Sequence, residues 1–476
     1  MQYISITLYS VNGRSSLMFA SQNGHNEVVS ILLSAGANVD LQNKDGQSSL
    51  MLASRNGHIE VVRKLLLLAC PKVDLQNKNG RSSLMFASQN GHNEVVSILL
   101  SAGANVDLQN KDELSSLMLA SQNGHIEVLR TLLSAGAKVD LQNKDGQSSL
   151  LFASHNGHNE VVMILVSKGA NVYLQNKDGL SSLMLASRNC HHEVVKKLLS
   201  TAAGAQIDLL NKDGWSSLMI ASQNGHNEIV MMLLSAGMEV DLQDKDGQSS
   251  LMFASQNGHH EVVRILLTHS AKVDLQNKDG KSSLMLASQN GWIVVVRMLL
   301  AACAKVDLQN KDGRSSLMLA SWNGLHDVVE MVLSAGANVD LQCTDGRSSL
   351  MFASQNGHNE VVRILISAGA KVDLQNKHGR SSLMFASQNG HNEVVRMLLS
   401  ASAKVDLQNK DGQSWLILAF QNGHIEVVDM LISAGAKVGL LNKELEEQLR
   451  QKSKEGNIEF VCRLLKCGVH VDGTDS

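Results

Sequence analysis

The sequence repeats itself with a period of 33 residues, and this periodicity limits the possible fold more than any other feature. The motif Asn-Lys-Asp-Gly, or a close variant of it, marks the copies, and its glycine, called here the turn glycine, recurs for example at Gly247, Gly280 and Gly313. Counting a degenerate copy at Leu445, we expect 14 repeats along the chain. Each copy is too small to bury an apolar face alone, so neighbouring copies must stack to form a core.

The repeat that begins at Gly46 shows how each copy is expected to fold. Ser48 can cap a short first helix with its hydroxyl, and Asn56-Gly57 ends that helix because glycine accepts a left-handed turn. The segment His58–Leu66 carries apolar residues at the i, i+3, i+4 spacing of a second helix. The segment Val73–Gly80 alternates apolar and polar residues and ends in a turn signal, which predicts a hairpin-like finger.

These motifs resemble the ankyrin repeat family. The resemblance rests on the turn that opens each copy, the family's D-x-x-G, which is mostly Asn-Lys-Asp-Gly here, and on Gly-His-x-Glu-Val-Val followed by Leu-Leu-x-x-Gly-Ala, as at Gly24–Val29 and Leu32–Ala37. Most copies carry these motifs or variants of them. The sequence departs from the family where Thr-Pro-Leu-His becomes Ser-Ser-Leu-Met, as at Ser82–Met85, although the serine keeps the capping role. The resemblance implies an all-α, ankyrin-type helix-turn-helix solenoid with β-hairpin-like fingers and about 14 stacked units. It also implies that the fingers and first helices line a concave face that binds partners.

The repeats divide the chain into three predicted regions. Residues 1–9 match only the finger of a repeat, residues 10–441 hold thirteen repeats in one continuous solenoid, and residues 442–476 form a degenerate capping repeat with a short tail. The capping repeat replaces an apolar-rich helix by a charged one, as expected for a solvated end. Two short insertions, Leu67–Lys72 and Ser200–Ala205, lengthen the period and are expected in loops after second helices.

Composition argues against several classes of function. A net charge of -3, from 42 basic and 45 acidic residues, lacks the basic excess that a nucleic-acid or anionic-membrane surface needs. No stretch approaches the roughly 18 apolar residues of a membrane span. Six scattered cysteines indicate a reducing compartment, the cytoplasm, with the nucleus as the alternative. No phosphate-binding or nucleophile motif stands out, so we expect no enzyme.

Histidine is the one residue type whose placement could suggest a metal. Eleven of the 18 histidines occupy the same position at the start of the second helix. Equivalent residues in stacked repeats are roughly 8–10 Å apart, whereas zinc needs ligands at about 2 Å, so we expect no metal and no cofactor. The resemblance instead implies that these histidines bond to loop backbone. Cys190-His191-His192 looks more like a site, but three adjacent residues need a fourth partner, so Cys190 is interpreted as an incidental thiol.

Departures from the repeated sequence mark the candidate binding residues, because most finger positions are uniform. The residue after the turn glycine, called here the post-turn residue, is basic in four consecutive repeats, and an acidic extended segment could pair with such a row. The alternative is that this row pairs with aspartates across each turn, at Asp279, Asp312 and Asp345. Tryptophans add hot-spot character in the same region or nearby. The predicted partner-binding residues are Lys281, Arg314, Trp322, Arg347, Arg380, Trp292 and Trp215.

Taken together, these features favour a monomeric protein–protein interaction scaffold or adaptor, for example in signalling. One alternative is an elastic or structural spacer, which would have no specific partner. Another is a substrate-receptor subunit of a larger complex such as a ubiquitin ligase, which would need a recruiting segment that the repeats do not supply. The uniform repeat surface fits either a repetitive ligand or recent duplication, and the sequence does not distinguish them.

Overall fold

The computed structural model describes three continuous stretches and a few residues near the C-terminus. Within these, consecutive helix pairs stack along the chain, which confirms the predicted all-α solenoid. The predicted partial repeat at 1–9 lies outside the described residues, as do most of the second insertion and most of the predicted capping repeat at 442–476. The described residues are 12–201, 207–412, 415–436, 450–451, 453–456, 458, 461–462 and 465.

The chain divides into two compact units, unit 1 (Met1–Lys245) and unit 2 (Asp246–Ser476). In both, a short first helix alternates with a second helix. The described helices of unit 1 are α1 Ser16–Gln22, α2 Asn26–Ser34, α3 Ser49–Asn56, α4 Ile59–Ala69, α5 Ser83–Gln89, α6 Asn93–Ser101, α7 Ser116–Asn123, α8 Ile126–Ser134, α9 Ser149–Asn156, α10 Asn159–Ser167, α11 Ser182–Arg188, α12 His192–Thr201, α13 Ser217–Asn224 and α14 Asn227–Ser235. Those of unit 2 are α15 Ser250–Asn257, α16 His260–Thr268, α17 Ser283–Asn290, α18 Ile293–Ala301, α19 Ser316–Trp322, α20 His326–Ser334, α21 Ser349–Asn356, α22 Asn359–Ser367, α23 Ser382–Asn389, α24 Asn392–Ser400, α25 Trp415–Gln421 and α26 Ile425–Ser433.

The helix boundaries follow from the capping residues. At α3, the Ser48 hydroxyl accepts the backbone N–H of Met51 at 3.4 Å, as the sequence predicts. The helix ends at Gly57, whose φ of 72° is a left-handed conformation that costs glycine no steric strain. Along α4, Val61 and Leu65 are buried on the predicted apolar stripe. Local sequence signals therefore set both ends of the first helix and the inward face of the second.

The fingers are closed by side-chain and backbone hydrogen bonds around a turn. Asn77 Oδ1 accepts the backbone N–H groups of Asn79 and Arg81, and the Arg81 carbonyl accepts the N–H of Asn77. Successive fingers are joined because the Lys78 N–H donates to the Asp45 carbonyl of the preceding finger at 3.0 Å. The described fingers show only two isolated β-bridges, so they are hairpin-like turns rather than paired strands.

The first insertion differs from its predicted placement. Leu67–Lys72 was expected in a loop, but α4 continues to Ala69 and ends at Cys70, whose φ is 44°. The extra residues therefore lengthen the second helix before the chain turns. Leu67 and Leu68 project from this extension and are 79% and 60% exposed. The helix-forming leucines explain the difference, because leucine favours continuing a helix over forming a loop.

Candidate partner-binding site

The finger of each repeat holds its post-turn residue in a defined place. Asn310 Oδ1 accepts the backbone N–H of Arg314 at 2.8 Å, and Asn277 Oδ1 accepts that of Lys281 at 2.9 Å. This Asx-type bond is a common way for asparagine to stabilise a turn. The four predicted basic residues lie at equivalent finger positions of unit 2, although Cys343 replaces the asparagine in the finger of Arg347; they are Lys281, Arg314, Arg347 and Arg380.

Three of the four basic side chains bond to a glutamine of their own first helix. The glutamine lies eight residues further along the chain and accepts through its amide oxygen. Unit 1 contains the same bond between Arg14 and Gln22 and between Arg81 and Gln89. The pairing is thus part of the repeat. In unit 2 the bonds are Lys281 Nζ to Gln289 (3.2 Å), Arg347 Nη1 to Gln355 (3.3 Å) and Arg380 Nη1 to Gln388 (3.5 Å).

Arg314 is the exception, because Trp322 stands where the glutamine would be. The Arg314 guanidinium lies over the Trp322 ring at 5.8 Å and over the Phe352 ring of the next repeat at 5.3 Å. Trp322 and Phe352 meet edge to face, with centroids 5.5 Å apart and an interplanar angle of 77°. In the described part of the chain, no side chain accepts a hydrogen bond from Arg314. Its position is therefore fixed by cation–π contacts that leave its N–H donors unused.

Arg347 completes the group. Its guanidinium lies 5.3 Å from the centroid of the Phe352 ring, and its Nη2 is 3.1 Å from the Asp345 carboxylate. The predicted alternative, pairing of the basic row with aspartates across each turn, is seen among the described residues at Asp345 alone. An exposed pair of this kind stabilises a fold by about 0–1 kcal/mol. We call Arg314, Trp322, Arg347 and Phe352 the arginine–aromatic cluster.

Two residues that support the cluster did not stand out in the sequence. Phe352 is almost fully buried and contacts both arginines, yet phenylalanine occupies its position in several other repeats. Cys343 is buried with Met318 and Phe352, where other fingers have asparagine or aspartate. The replacement of the finger asparagine by Cys343 is the sequence feature that could have indicated this site. It removes the side-chain bond of the turn and adds an apolar contact beneath Trp322.

The other two predicted tryptophans lie elsewhere. Trp292 precedes α18, is 42% exposed and donates from Nε1 to the Gln256 carbonyl at 2.8 Å. Trp215 belongs to unit 1, where it is half-buried against a cluster that includes Leu185 and Ile220. Of the predicted residues, the structure thus brings together Arg314, Trp322 and Arg347 through Phe352, whereas Lys281 and Arg380 bond within their own repeats.

The histidines after the first helices have a structural role, as predicted. His358 Nε2 donates to the Trp322 carbonyl at 2.9 Å, and Asn356 Nδ2 donates to the same carbonyl at 2.8 Å. A histidine bonded in this way satisfies a carbonyl at the C-terminal end of the preceding repeat's first helix. The same bond is made by His58, His92, His125, His158, His191, His226, His391 and His424.

The Cys190 neighbourhood does not gather its three adjacent residues around one point. His191 Nε2 donates to the His155 carbonyl at 3.0 Å, whereas His192 Nε2 lies 3.7 Å from Cys190 Sγ and 3.2 Å from Glu228. Burial, and then the charge of Glu228, raise the pKa of Cys190, so its thiol is a poor nucleophile. Among the described residues, no group of three potential ligands is placed to hold a metal ion.

Sequence comparison agrees with the stacked helix pairs. The sequence model described as "Ankyrin repeats (3 copies)" matches residues 4–72, 64–143, 117–209, 199–277, 266–343, 332–409, 350–442 and 383–475. The chain belongs to the ankyrin repeat family. No curated protein matches the sequence.

Membership of the family defines the general activity of the repeats. Ankyrin repeats are in general protein–protein interaction modules, and their fold is typically non-catalytic. None of the helices in the described stretches combines the length and apolarity that crossing a membrane requires.

Proposed function

We propose that the chain is a protein–protein interaction scaffold or adaptor, and that its main partner binds the arginine–aromatic cluster of unit 2. Lys281 and Arg380 flank the cluster on the neighbouring repeats. The cysteine usage supports action in a reducing compartment, the cytoplasm or the nucleus.

The observation that carries this proposal is the change of partner at Arg314. In repeats with glutamine at the Trp322 position, the post-turn cation bonds to that glutamine, as Arg380 does to Gln388. Trp322 removes the acceptor and supplies a flat ring instead, so Arg314 is held in place with its donors available. A guanidinium with unused donors matches a carboxylate, which can accept two of its N–H groups side by side.

The chemistry of the cluster indicates an extended acidic segment as the partner. One carboxylate would bond to Arg314, and a neighbouring apolar side chain would cover the part of Trp322 that is still exposed. Tryptophan and arginine are the residue types most enriched at binding hot spots. The Asp345 carboxylate beside Arg347 offsets part of the positive field, so Arg314 rather than Arg347 is expected to contribute most.

The test compares variants after the partner has been captured on the wild-type chain and identified. Trp322→Gln gives Arg314 the acceptor that other repeats have, so the fold should be retained while the aromatic surface is lost. We expect its affinity for the partner to fall by more than about tenfold, the size of a hot-spot loss. Arg347→Glu should also weaken binding, because it reverses a charge in the cluster.

The matched controls are Gln122→Ala and Gln147→Glu, at the equivalent positions in unit 1. Both should leave the affinity unchanged, as measured by calorimetric titration. Equal losses for the controls and the cluster variants, or no loss for Trp322→Gln, would place the contact elsewhere. The uniform Lys-Asp turns would then be the remaining candidate surface.

A further inference from the structure

In several repeats the outer edge of the second helices carries charges that link consecutive repeats. Arg63 Nη2 lies 2.8 Å from Glu94 of the next second helix, and Arg130 Nη2 lies 3.0 Å from Glu160. In each case the glutamate is the second residue of its helix. The arginine belongs to the preceding second helix and lies three residues after the glutamate of that helix. This edge is therefore solvated and ion-paired in the repeats that keep the pattern.

The helix α18 interrupts this charged edge. Val294 takes the glutamate position and is 51% exposed. Arg264 of the preceding second helix, α16, pairs with Glu261 of the same helix at 2.7 Å. No acidic side chain is present at the Val294 position of the next second helix to pair with Arg264. Arg297, three residues after Val294, is exposed, and within the described ranges no carboxylate pairs with it. An apolar side chain and a cation without a counterion thus share one face of α18.

The histidine position is also apolar in two consecutive repeats here. Trp292 keeps the structural bond of a histidine, because its Nε1 donates to the Gln256 carbonyl and its ring lies against Gly258. The indole is larger than an imidazole, and 42% of Trp292 remains exposed. In the next repeat Leu325 lies against Gly291, the residue before Trp292, and contributes no hydrogen bond from its side chain.

We propose that Trp292, Val294, Leu325 and Arg297, called here the outer patch, form a second binding surface. Its occupant is a segment of another protein that places an apolar side chain on Trp292 and Val294 and a carboxylate on Arg297. The fixed Trp292 ring favours this role, because a side chain that is already ordered loses little entropy on binding.

Charge argues against a second copy of this chain as the occupant. A two-fold contact centred on the outer patch would bring two Arg297 side chains together, and neither has a counterion within the described residues. An acidic occupant instead gives Arg297 the i, i+3 partner that a glutamate at the Val294 position would supply, as Glu60 does for Arg63 at 3.6 Å. Asp327, the acidic residue in the first turn of the next second helix, forms no ion pair with Arg297 in the described part of the chain. The outer patch lies at the start of second helices, whereas the arginine–aromatic cluster is built on fingers and first helices, so the two surfaces can be tested separately.

The probe is a library of random-sequence peptides displayed on phage and selected on the whole chain. The selected peptides are then measured against a restored variant, Trp292→His, Val294→Glu and Leu325→His, which returns the repeat's own residues to the outer patch. Met163→Arg is the matched control, because Met163 is a 46% exposed residue on a second helix of unit 1. We expect the selected peptides to combine an apolar residue with Asp or Glu. Their affinity should fall by more than about tenfold for the restored variant and stay unchanged for the Met163→Arg control.

Reversing the charge on both partners provides a second test of the contact with Arg297. Arg297→Glu should weaken the same peptides, and replacing the peptide's acidic residue by lysine should restore binding to that variant. Trp322→Gln should leave these peptides unaffected, which separates this result from the proposed function. Peptides that bind the restored variant as tightly as the wild type, or no selected peptide at all, would overturn the proposal. Dimerisation in sedimentation that is lost in the restored variant would also overturn it, by assigning the outer patch to a second copy.

Discussion

A row of buried serines in the first helices provides a sharp test of how the repeats are stabilised. Among the described residues, twelve serines at equivalent positions are fully buried, and none of their hydroxyls has a hydrogen-bond partner. We predict that replacing one of them by alanine stabilises the protein locally. They are Ser21, Ser54, Ser88, Ser121, Ser154, Ser187, Ser222, Ser255, Ser288, Ser321, Ser354 and Ser387.

The expected magnitude follows from three effects at Ser288, which lies within α17. Leaving a buried hydroxyl without a partner costs about 1–3 kcal/mol, and this cost disappears in Ser288→Ala. Alanine also favours the helix by roughly 0.5 kcal/mol relative to serine. The void left by the oxygen opposes these gains by up to about 1 kcal/mol. With the full void cost, the net stabilisation should be about 0.5–2.5 kcal/mol, roughly a two- to seventyfold change in an opening equilibrium.

Amide hydrogen exchange is the suitable assay, because stacked repeats need not unfold in one two-state step. Ser288→Ala should slow exchange of the α17 amides. The control is Ser282→Ala, which removes the N-cap bond to the Met285 N–H at 3.4 Å and should speed exchange by the equivalent of about 1 kcal/mol. If Ser288→Ala speeds exchange as much as the control does, the hydroxyl is bonded in solution and the reasoning fails.

Two further predictions concern single sites in unit 1. Burial, and then the charge of Glu239, raise the pKa of Asp208. The protein is therefore expected to lose stability as the pH rises through that pKa. Glu239→Lys should lower the pKa of Asp208 and reduce this loss of stability, and an unchanged titration of the Asp208 carboxyl by NMR would contradict the prediction. Gly124→Ala should destabilise the protein by at least about 1 kcal/mol more than Gly136→Ala, as measured by thermal unfolding. Both glycines have a positive φ, but a Cβ at Gly124 would lie 2.7 Å from the ring of His158, whereas a Cβ at Gly136 would meet nothing. Equal losses of stability would contradict this reasoning.

Most of the fold could be predicted because every repeat carries its own boundary signals. Ser48 and Gly57 mark the ends of one first helix, and the same residue types recur copy after copy. The length of α4 was not predictable in the same way. The insertion at Leu67–Lys72 is expected in a loop from its place between two repeats, but its leucines favour continuing the helix, which ends after Ala69.

The site could be predicted only as far as it departs from the repeated background. Arg314 and Trp322 stand out because other repeats differ at those positions. Phe352 does not stand out, and its contact with both arginines depends on how two neighbouring repeats stack. The glutamine bonds of Lys281 and Arg380 were also missed, since they join a finger to the far end of a first helix.

The proposal that the partner binds the arginine–aromatic cluster is tested most directly by hydrogen exchange in the complex. With the captured partner bound, amides in the fingers and first helices that carry Arg314, Trp322 and Phe352 should become more protected, and the equivalent amides of unit 1 should not. Trp322→Gln should remove that protection at the same partner concentration. Protection spread evenly over both units, or confined to unit 1, would contradict the proposed site.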